Sequence, residues 1–145
     1  MNPSSHVNLL VVEDNEIDRE ALRRAFRRHG LDQPMIDVDD GLEALAVLRG
    51  ERDLPLGRPY LILLDLNMPR MNGIELLDEI RRDPRLKDSV VFVLTTSRAD
   101  EDKAAAYAHN VAGYLVKGDL GQNFSGLLEL ISTYCKVVEL PVARG

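Results

Sequence analysis

The chain has 145 residues, 45% of them apolar and 29% charged, which is enough for one buried core and too little for a second domain of ordinary size. Acidic residues outnumber basic ones by 24 to 18, so the overall field draws in neither nucleic acid nor anionic lipid, and the longest apolar runs fall far short of the ~20 residues of a membrane span. The opening Met1-Asn2-Pro3-Ser4-Ser5 lacks the basic and then apolar regions of a secretory signal, and the single Cys135 has no internal disulfide partner, so a reducing, cytoplasmic setting is expected.

Along the chain, short apolar runs alternate with segments of helical period. A strand is expected over 7–12. The helix after it carries the apolar stripe Ile17, Ala21, Leu22, Ala25 and Phe26, interleaved with Arg19, Arg23, Arg24, Arg27 and Arg28 and closed by Gly30. Those arginines read as a solvated face with cations near the negative end of the helix dipole; as a nucleic-acid patch they would lack stacking aromatics. A strand over 35–38 leads to a helix that Asp40 caps, with Glu43 placed to reach back to the cap amide and Gly50 as a left-handed stop. Residues 51–59, with two prolines and a glycine, form the one longish loop. Then come a strand over 61–64, a helix over 73–82 capped by Asn72 and stopped by Pro84, and a strand over 90–94. A helix from about 100 to 110, a strand over 113–116 and a helix over about 123–136, with Phe124, Leu127, Leu128, Ile131 and Cys135 on one side, complete the series.

Five such repeats, with strands mostly apolar throughout, predict a parallel sheet buried on both faces by helices. Right-handed crossovers then favour a three-layer, doubly wound α/β fold, in which ligands bind beyond the carboxyl ends of the strands. Functional residues are therefore sought in 12–15, 65–73, 95–98 and 117–119.

Those places hold Glu13 and Asp14, Asp65, Thr95 and Lys117, each polar and each directly behind an apolar strand. Three carboxylates at one sheet edge repel one another unless a cation sits among them, and Mg2+, which takes hard oxygen ligands and keeps waters and phosphate oxygens, fits that need. A carboxylate is also a nucleophile toward a phosphoryl donor, giving an acyl phosphate. Phosphoryl transfer then asks for positioning and charge neutralisation, for which Lys117 and the Thr95 hydroxyl are candidates. Any one of these residues could be no more than a helix cap, Asp14 above all, but four strand ends carrying the required groups together are hard to assign to chance.

The segments Leu10-Val11-Val12-Glu13-Asp14-Asn15, Asp40-Gly41-Leu42-Glu43-Ala44-Leu45, Leu63-Leu64-Asp65-Leu66-Asn67-Met68-Pro69-Arg70-Met71-Asn72-Gly73, Val93-Leu94-Thr95-Thr96 and Gly113-Tyr114-Leu115-Val116-Lys117 resemble the receiver domains of two-component response regulators, over roughly residues 7–136. The resemblance implies a flavodoxin-like fold with a five-stranded parallel sheet in the order 2-1-3-4-5. It implies that Asp65 accepts a phosphoryl group from a sensor histidine kinase, that Glu13 and Asp14 bind Mg2+ with Asp65, and that Asn67 offers its backbone carbonyl to the metal. Thr95 and Lys117 would engage the phosphoryl group, and Tyr114 would be the aromatic switch residue that moves inward with Thr95. The chain departs from the family at Lys117-Gly118, where the family usually has proline in a cis peptide; without proline a cis bond costs ~2.5–4 kcal/mol, which disfavours it, and the sequence leaves open whether this bond is cis or trans. The chain would be a phosphorelay switch rather than an enzyme, with at most slow self-dephosphorylation.

The segments Leu64-Asp65-Leu66-Asn67-Met68-Pro69 and Leu94-Thr95-Thr96-Ser97, and the tail after Lys136, are more narrowly similar to single-domain regulators paired with phytochrome-type photoreceptor kinases, which makes a bacteriophytochrome the candidate kinase. Residues 1–6 read as an N-terminal tail, and 137–145 as an extension that leaves no room for an attached output domain. In extended form Val138, Leu140 and Val142 share one face, and Pro141 is tolerable as in an edge strand. The segment either folds back on its own domain or reaches across a two-fold axis as a dimerisation arm, and the resemblance implies the homodimer. Two other classes fit less well. Phosphatases of the haloacid-dehalogenase type resemble Asp-x-Asp, but Asn67 stands at the second place; and neither glycine-rich nucleotide motif occurs.

Overall fold

In the computed structural model residues 7–31 and 33–142 are described; the expected tail 1–6 and the end of the extension, 143–145, lie outside them. Five strands, β1 (Asn8–Val12), β2 (Met35–Val38), β3 (Tyr60–Leu64), β4 (Val90–Thr95) and β5 (Gly113–Val116), form one parallel sheet in the order β2-β1-β3-β4-β5. They alternate with α1 (Glu16–Arg28), α2 (Gly41–Leu48), α3 (Gly73–Arg82), α4 (Asp100–Ala108) and α5 (Ser125–Val137). The expected doubly wound architecture and strand order are both present.

The two-residue period of the strands splits the apolar residues into two cores. Leu10, Val12, Ile62, Leu64, Val91 and Val93 point to one face, under Ala44 and Leu45 of α2, Leu76, Leu77 and Ile80 of α3, and Ala106 of α4. Leu9, Val11, Leu61, Leu63, Phe92 and Leu94 point to the other, under Leu22 and Phe26 of α1 and Leu127, Leu128 and Ile131 of α5. The central strand β3 is buried at every residue, as a strand covered on both faces requires, whereas the edge strand β2 tolerates Asp37, which pairs with Arg19 and Arg23 of α1.

Helix starts explain several local differences from expectation. Asn15, not Asp14, caps α1, accepting from the amide of Asp18 at 3.0 Å. Asp40 caps α2, but Glu43 does not close a capping box, because its carboxylate is drawn 2.5 Å from Arg52; the complete box is at α3, between Asn72 and Glu75. The last helix starts at Ser125 rather than 123, since Asn123 and Phe124 both take left-handed backbone angles (φ 56° and 57°) after a one-turn helix over Lys117–Asp119. Beyond α5 the tail does fold back in part: Leu140 is 8% exposed and joins the α1–α5 core, while Val137 and Val142 stay exposed. No helix among the described residues is long and apolar enough to cross a membrane.

Candidate functional site

Parallel register decides what meets what. Val12 pairs with Leu64, Leu64 with Val93, and Thr95 with Val116, so the residues that follow β1, β3, β4 and β5 all emerge at one sheet edge. Of the polar residues predicted at these ends, Glu13, Asp14, Asp65 and Lys117 come together around one cleft, with Lys117 bridging back across 104 positions of sequence to Glu13, while Thr95 stays buried beside it.

Glu13 continues β1, its amide donating to the Val38 carbonyl, and its side chain is 2% exposed. Its carboxylate accepts from the Asn15 amide at 3.1 Å and from Lys117 Nζ at 2.6 Å. Burial pushes the Glu13 carboxyl up to about 7, and the charge of Asp65 adds to that, while Lys117 pulls the other way. Asp65 follows β3, is 7% exposed, and donates its own amide to the Val12 carbonyl at 2.9 Å. Asp14 is exposed, and one carboxylate oxygen from each of Glu13, Asp14 and Asp65 lies within 4.8 Å of the others.

That set suits a hard divalent cation. Its donors are all carboxylate oxygens, one of them is forced toward its neutral form by burial, and a cation would relieve both that burial and the mutual repulsion. Asn67 lines the same open cleft of about 620 Å³, together with Glu13, Asp14, Asp65, Asp18, Thr96 and Lys117. A neighbouring cleft of about 640 Å³ runs past β2 and α2, but its three arginines already pair with its own carboxylates, Arg19 with Asp37, Arg52 with Glu43 and Arg70 with Asp40.

Lys117 is held by two carboxylates, one of which the sequence did not single out. Its ammonium is bonded to Glu13 and, at 2.7 Å, to Asp18 of α1, and it meets Asp65 through charge. Burial disfavours the charged amine, but the bonds to Asp18 and Glu13 outweigh it and raise its pKa. Asp18 was not singled out by the sequence. No local signal marked it, because Asp14 precedes the cap of α1 while Asp18 lies on its first turn, and its partner Lys117 stands 99 positions away. Among the described residues the sole cis peptide is Arg58-Pro59, so Lys117-Gly118, left open by the sequence, is trans.

Thr95 is fully buried at the end of β4, and it is the next residue, Thr96, that lines the cleft. The Thr95 hydroxyl oxygen accepts from the Ser97 amide at 3.3 Å, and the Tyr114 hydroxyl of β5 donates to the Ser97 carbonyl at 3.0 Å. Thr95 and Tyr114 are thus joined through one loop residue, which is further tied to α4 by a 2.5 Å bond from its hydroxyl to Asp102.

The loop after β3 is fixed from two sides. Arg70, in a left-handed conformation (φ 63°), forks onto the carboxylate that caps α2, its Nε 2.8 Å from Asp40. At Gly73 a Cβ would meet the Asp65 carbonyl oxygen at 2.5 Å and Leu66 Cα at 2.7 Å, so only glycine lets α3 start this close to the backbone of Asp65.

Comparison with known proteins agrees with this geometry. The response regulator receiver domain family matches residues 9–123. The response regulator Rcp1 of Synechocystis sp. is 36% identical over 140 residues, 93% of each chain. The crystal structure of the phosphorylated cyanobacterial phytochrome response regulator RcpA superposes with a TM-score of 0.79 at 35% identity, covering 94% of this chain and 99% of that one. The Mn2+-bound form of Rcp1 superposes at 0.76 with 34% identity and the same coverage. With the strand order, the polar strand ends and the family match in accord, this chain belongs to the response regulator receiver domains, a family of two-component signalling switches.

Proposed function

We propose that the chain is a single-domain response regulator that takes a phosphoryl group from a sensor histidine kinase onto Asp65 and passes the signal on through its Thr95–Tyr114 surface. The observation that carries this reading is the gathering of Glu13, Asp14 and Asp65 oxygens within 4.8 Å, beside Lys117. In the transfer, an Asp65 oxygen attacks phosphorus, the phosphorus–nitrogen bond of the phosphohistidine breaks, and the imidazole leaves with its electron pair and takes up a proton. Glu13, Asp14, Asp65 and the Asn67 carbonyl would hold Mg2+, which when bound neutralises charge on the phosphoryl oxygens. Lys117 offers a second positive charge to those oxygens, and the Thr95 hydroxyl donates to one of them. Drawing Thr95 toward the phosphoryl group disturbs the Ser97 loop, on which the Tyr114 hydroxyl is anchored, and so changes the face made by α4, β5 and α5.

The similarity to phytochrome and bacteriophytochrome response regulators supports a bacteriophytochrome as the kinase, and the exposed Val137 and Val142 support a homodimer as the working form, with residues 7–136 as the receiver and 137–145 as the dimerisation arm. The reading places the protein in the cytoplasm, as a switch with no more than slow loss of its own phosphate. The test is incubation with Mg2+ and acetyl phosphate, followed by intact mass and site mapping. One phosphoryl group is expected, on Asp65, and none on a folded Asp65→Asn variant; equal labelling of that variant, or steady turnover of small phosphoesters, would overturn the reading.

A further inference from the structure

The contact between Lys117 and Asp18 is not accounted for by the metal cluster or by the acceptor. Lys117 is 10% exposed, and its ammonium is shared by two carboxylates, Glu13 Oε1 at 2.6 Å and Asp18 Oδ2 at 2.7 Å. Two of its three donors are thereby used, leaving one. Glu13 belongs to the trio of carboxylates suited to a cation, so its hold on Lys117 is divided; Asp18 stands outside that trio, on the first turn of α1. Asp18 is itself fixed, because its amide is bonded to the capping side chain of Asn15, and the helix behind it packs Leu22 and Phe26 into the core. At the lysine end the backbone is held firmly on one side only: Lys117 follows Val116, which pairs with Thr95 in the sheet, but it then opens a one-turn helix over Lys117–Asp119, with Gly118 next and no proline, closed by a 3.4 Å bond from the Leu120 amide and by a pair between Arg98 and Asp119 that is exposed on both sides. A four-carbon stem on such a turn samples many rotamers unless its end is tethered.

We infer that Asp18 is a positioning residue for the phosphoryl transfer, tethering the Lys117 ammonium at the cleft so that its remaining donor is available to the phosphoryl group on Asp65. This rests on the reading of Asp65 as the acceptor. It explains how a chain with glycine after the lysine still presents that lysine, by a side-chain tether from α1 in place of a rigid backbone.

Two measurements test it, on full-length protein. In the metal-free arm, the Lys117 amine is trace-labelled with acetic anhydride and mapped by mass; Asp18→Ala is expected to raise its reactivity several-fold. In the transfer arm, the initial rate of Asp65 labelling by acetyl phosphate with saturating Mg2+ is measured for Asp18→Ala, Asp18→Asn and Asp18→Glu, each alone and in a Lys117→Met background. Misplacing one catalytic group typically costs one to two orders of magnitude, so a fall of about tenfold is expected for Asp18→Ala, with partial recovery for Asp18→Asn and Asp18→Glu, which keep an acceptor. In the Lys117→Met background the Asp18 changes should have no further effect, because a residue that acts through Lys117 has nothing left to position. Unchanged rate and reactivity in both Asp18→Ala and Asp18→Asn, or the same fall in the Lys117→Met background, would overturn the inference alone. A parent protein that takes no phosphoryl group at all would overturn the functional reading, and this inference with it.

Discussion

Among the described residues Glu13 is the carboxyl group that burial pushes up. Its carboxyl is raised from the ordinary 4.5 to about 7 by burial, so without a divalent cation its contribution to stability is fully present below about 4.5 and is lost as pH rises through 7. The melting temperature of metal-free protein should therefore drop across that window, and Glu13→Gln should flatten the drop. Cation binding has to displace the same proton, so Mg2+ affinity should rise between slightly acid and slightly alkaline pH, with proton release measurable by calorimetry in buffers of different ionisation enthalpy. Mg2+ should raise the melting temperature by mass action, and Asp14→Ala should largely abolish that gain; an equal gain in the variant would place the metal elsewhere. The residues behind these predictions were legible in the sequence because each follows directly on an apolar strand. Asp18 was not, since its partner stands 99 positions away and only the folded sheet edge brings the two together.

At the level of elements, the loop between β3 and α3 is a close backbone crossing that depends on Gly73. Gly73→Ala drives a Cβ into backbone atoms that cannot rotate away, so a loss of about 1–3 kcal/mol in urea unfolding is expected, with slower labelling of Asp65. Gly50→Ala is the control: it has a left-handed backbone (φ 72°) but open space, and should cost about 1 kcal/mol without touching the site. The connection from Thr95 through Ser97 to Tyr114 makes a second prediction at this scale. Amide exchange with and without beryllofluoride should differ over residues 95–120, and Tyr114→Phe, which removes the hydroxyl bonded to Ser97, should alter exchange in that loop even without the mimic. No difference over those residues would rule this route out. Strands and most helices could be read from period and caps. The start of α5 could not, because two consecutive non-glycine residues in left-handed conformation, Asn123 and Phe124, leave no signature in composition, and Glu43 was misjudged because Arg52, nine residues on, competes for it.

The whole molecule is two apolar layers on one sheet, and its strand order was not legible from the residues themselves; apolar runs say which strands are covered, while their neighbours came from the resemblance. The tail illustrates the same boundary. Leu140 sits in the α1–α5 core, so Leu140→Ala should destabilise the fold by about 2 kcal/mol, whereas Val137 and Val142 are exposed and should contribute little to it. If the tail serves a dimer, Val137→Glu with Val142→Glu should yield a monomer of unchanged stability by light scattering and thermal melt; a parent that is monomeric at tens of micromolar, or a variant that pairs as well, would remove the tail from that role.

The place where the tail comes to rest has a further consequence. Pro141 lies in a small recess with Arg58, Tyr60, Ser89 and Val90, residues at or next to the amino-terminal ends of β3 and β4, while Asp65 and Thr95 stand at the carboxyl-terminal ends of the same two strands. Five residues of strand, roughly 16 Å, separate the two rims. The domain therefore has one rim that carries Asp65 and another that receives the tail, and a fluorophore, a surface tether or a neighbouring protein attached through the tail leaves the Asp65 rim open to whatever approaches from the opposite side.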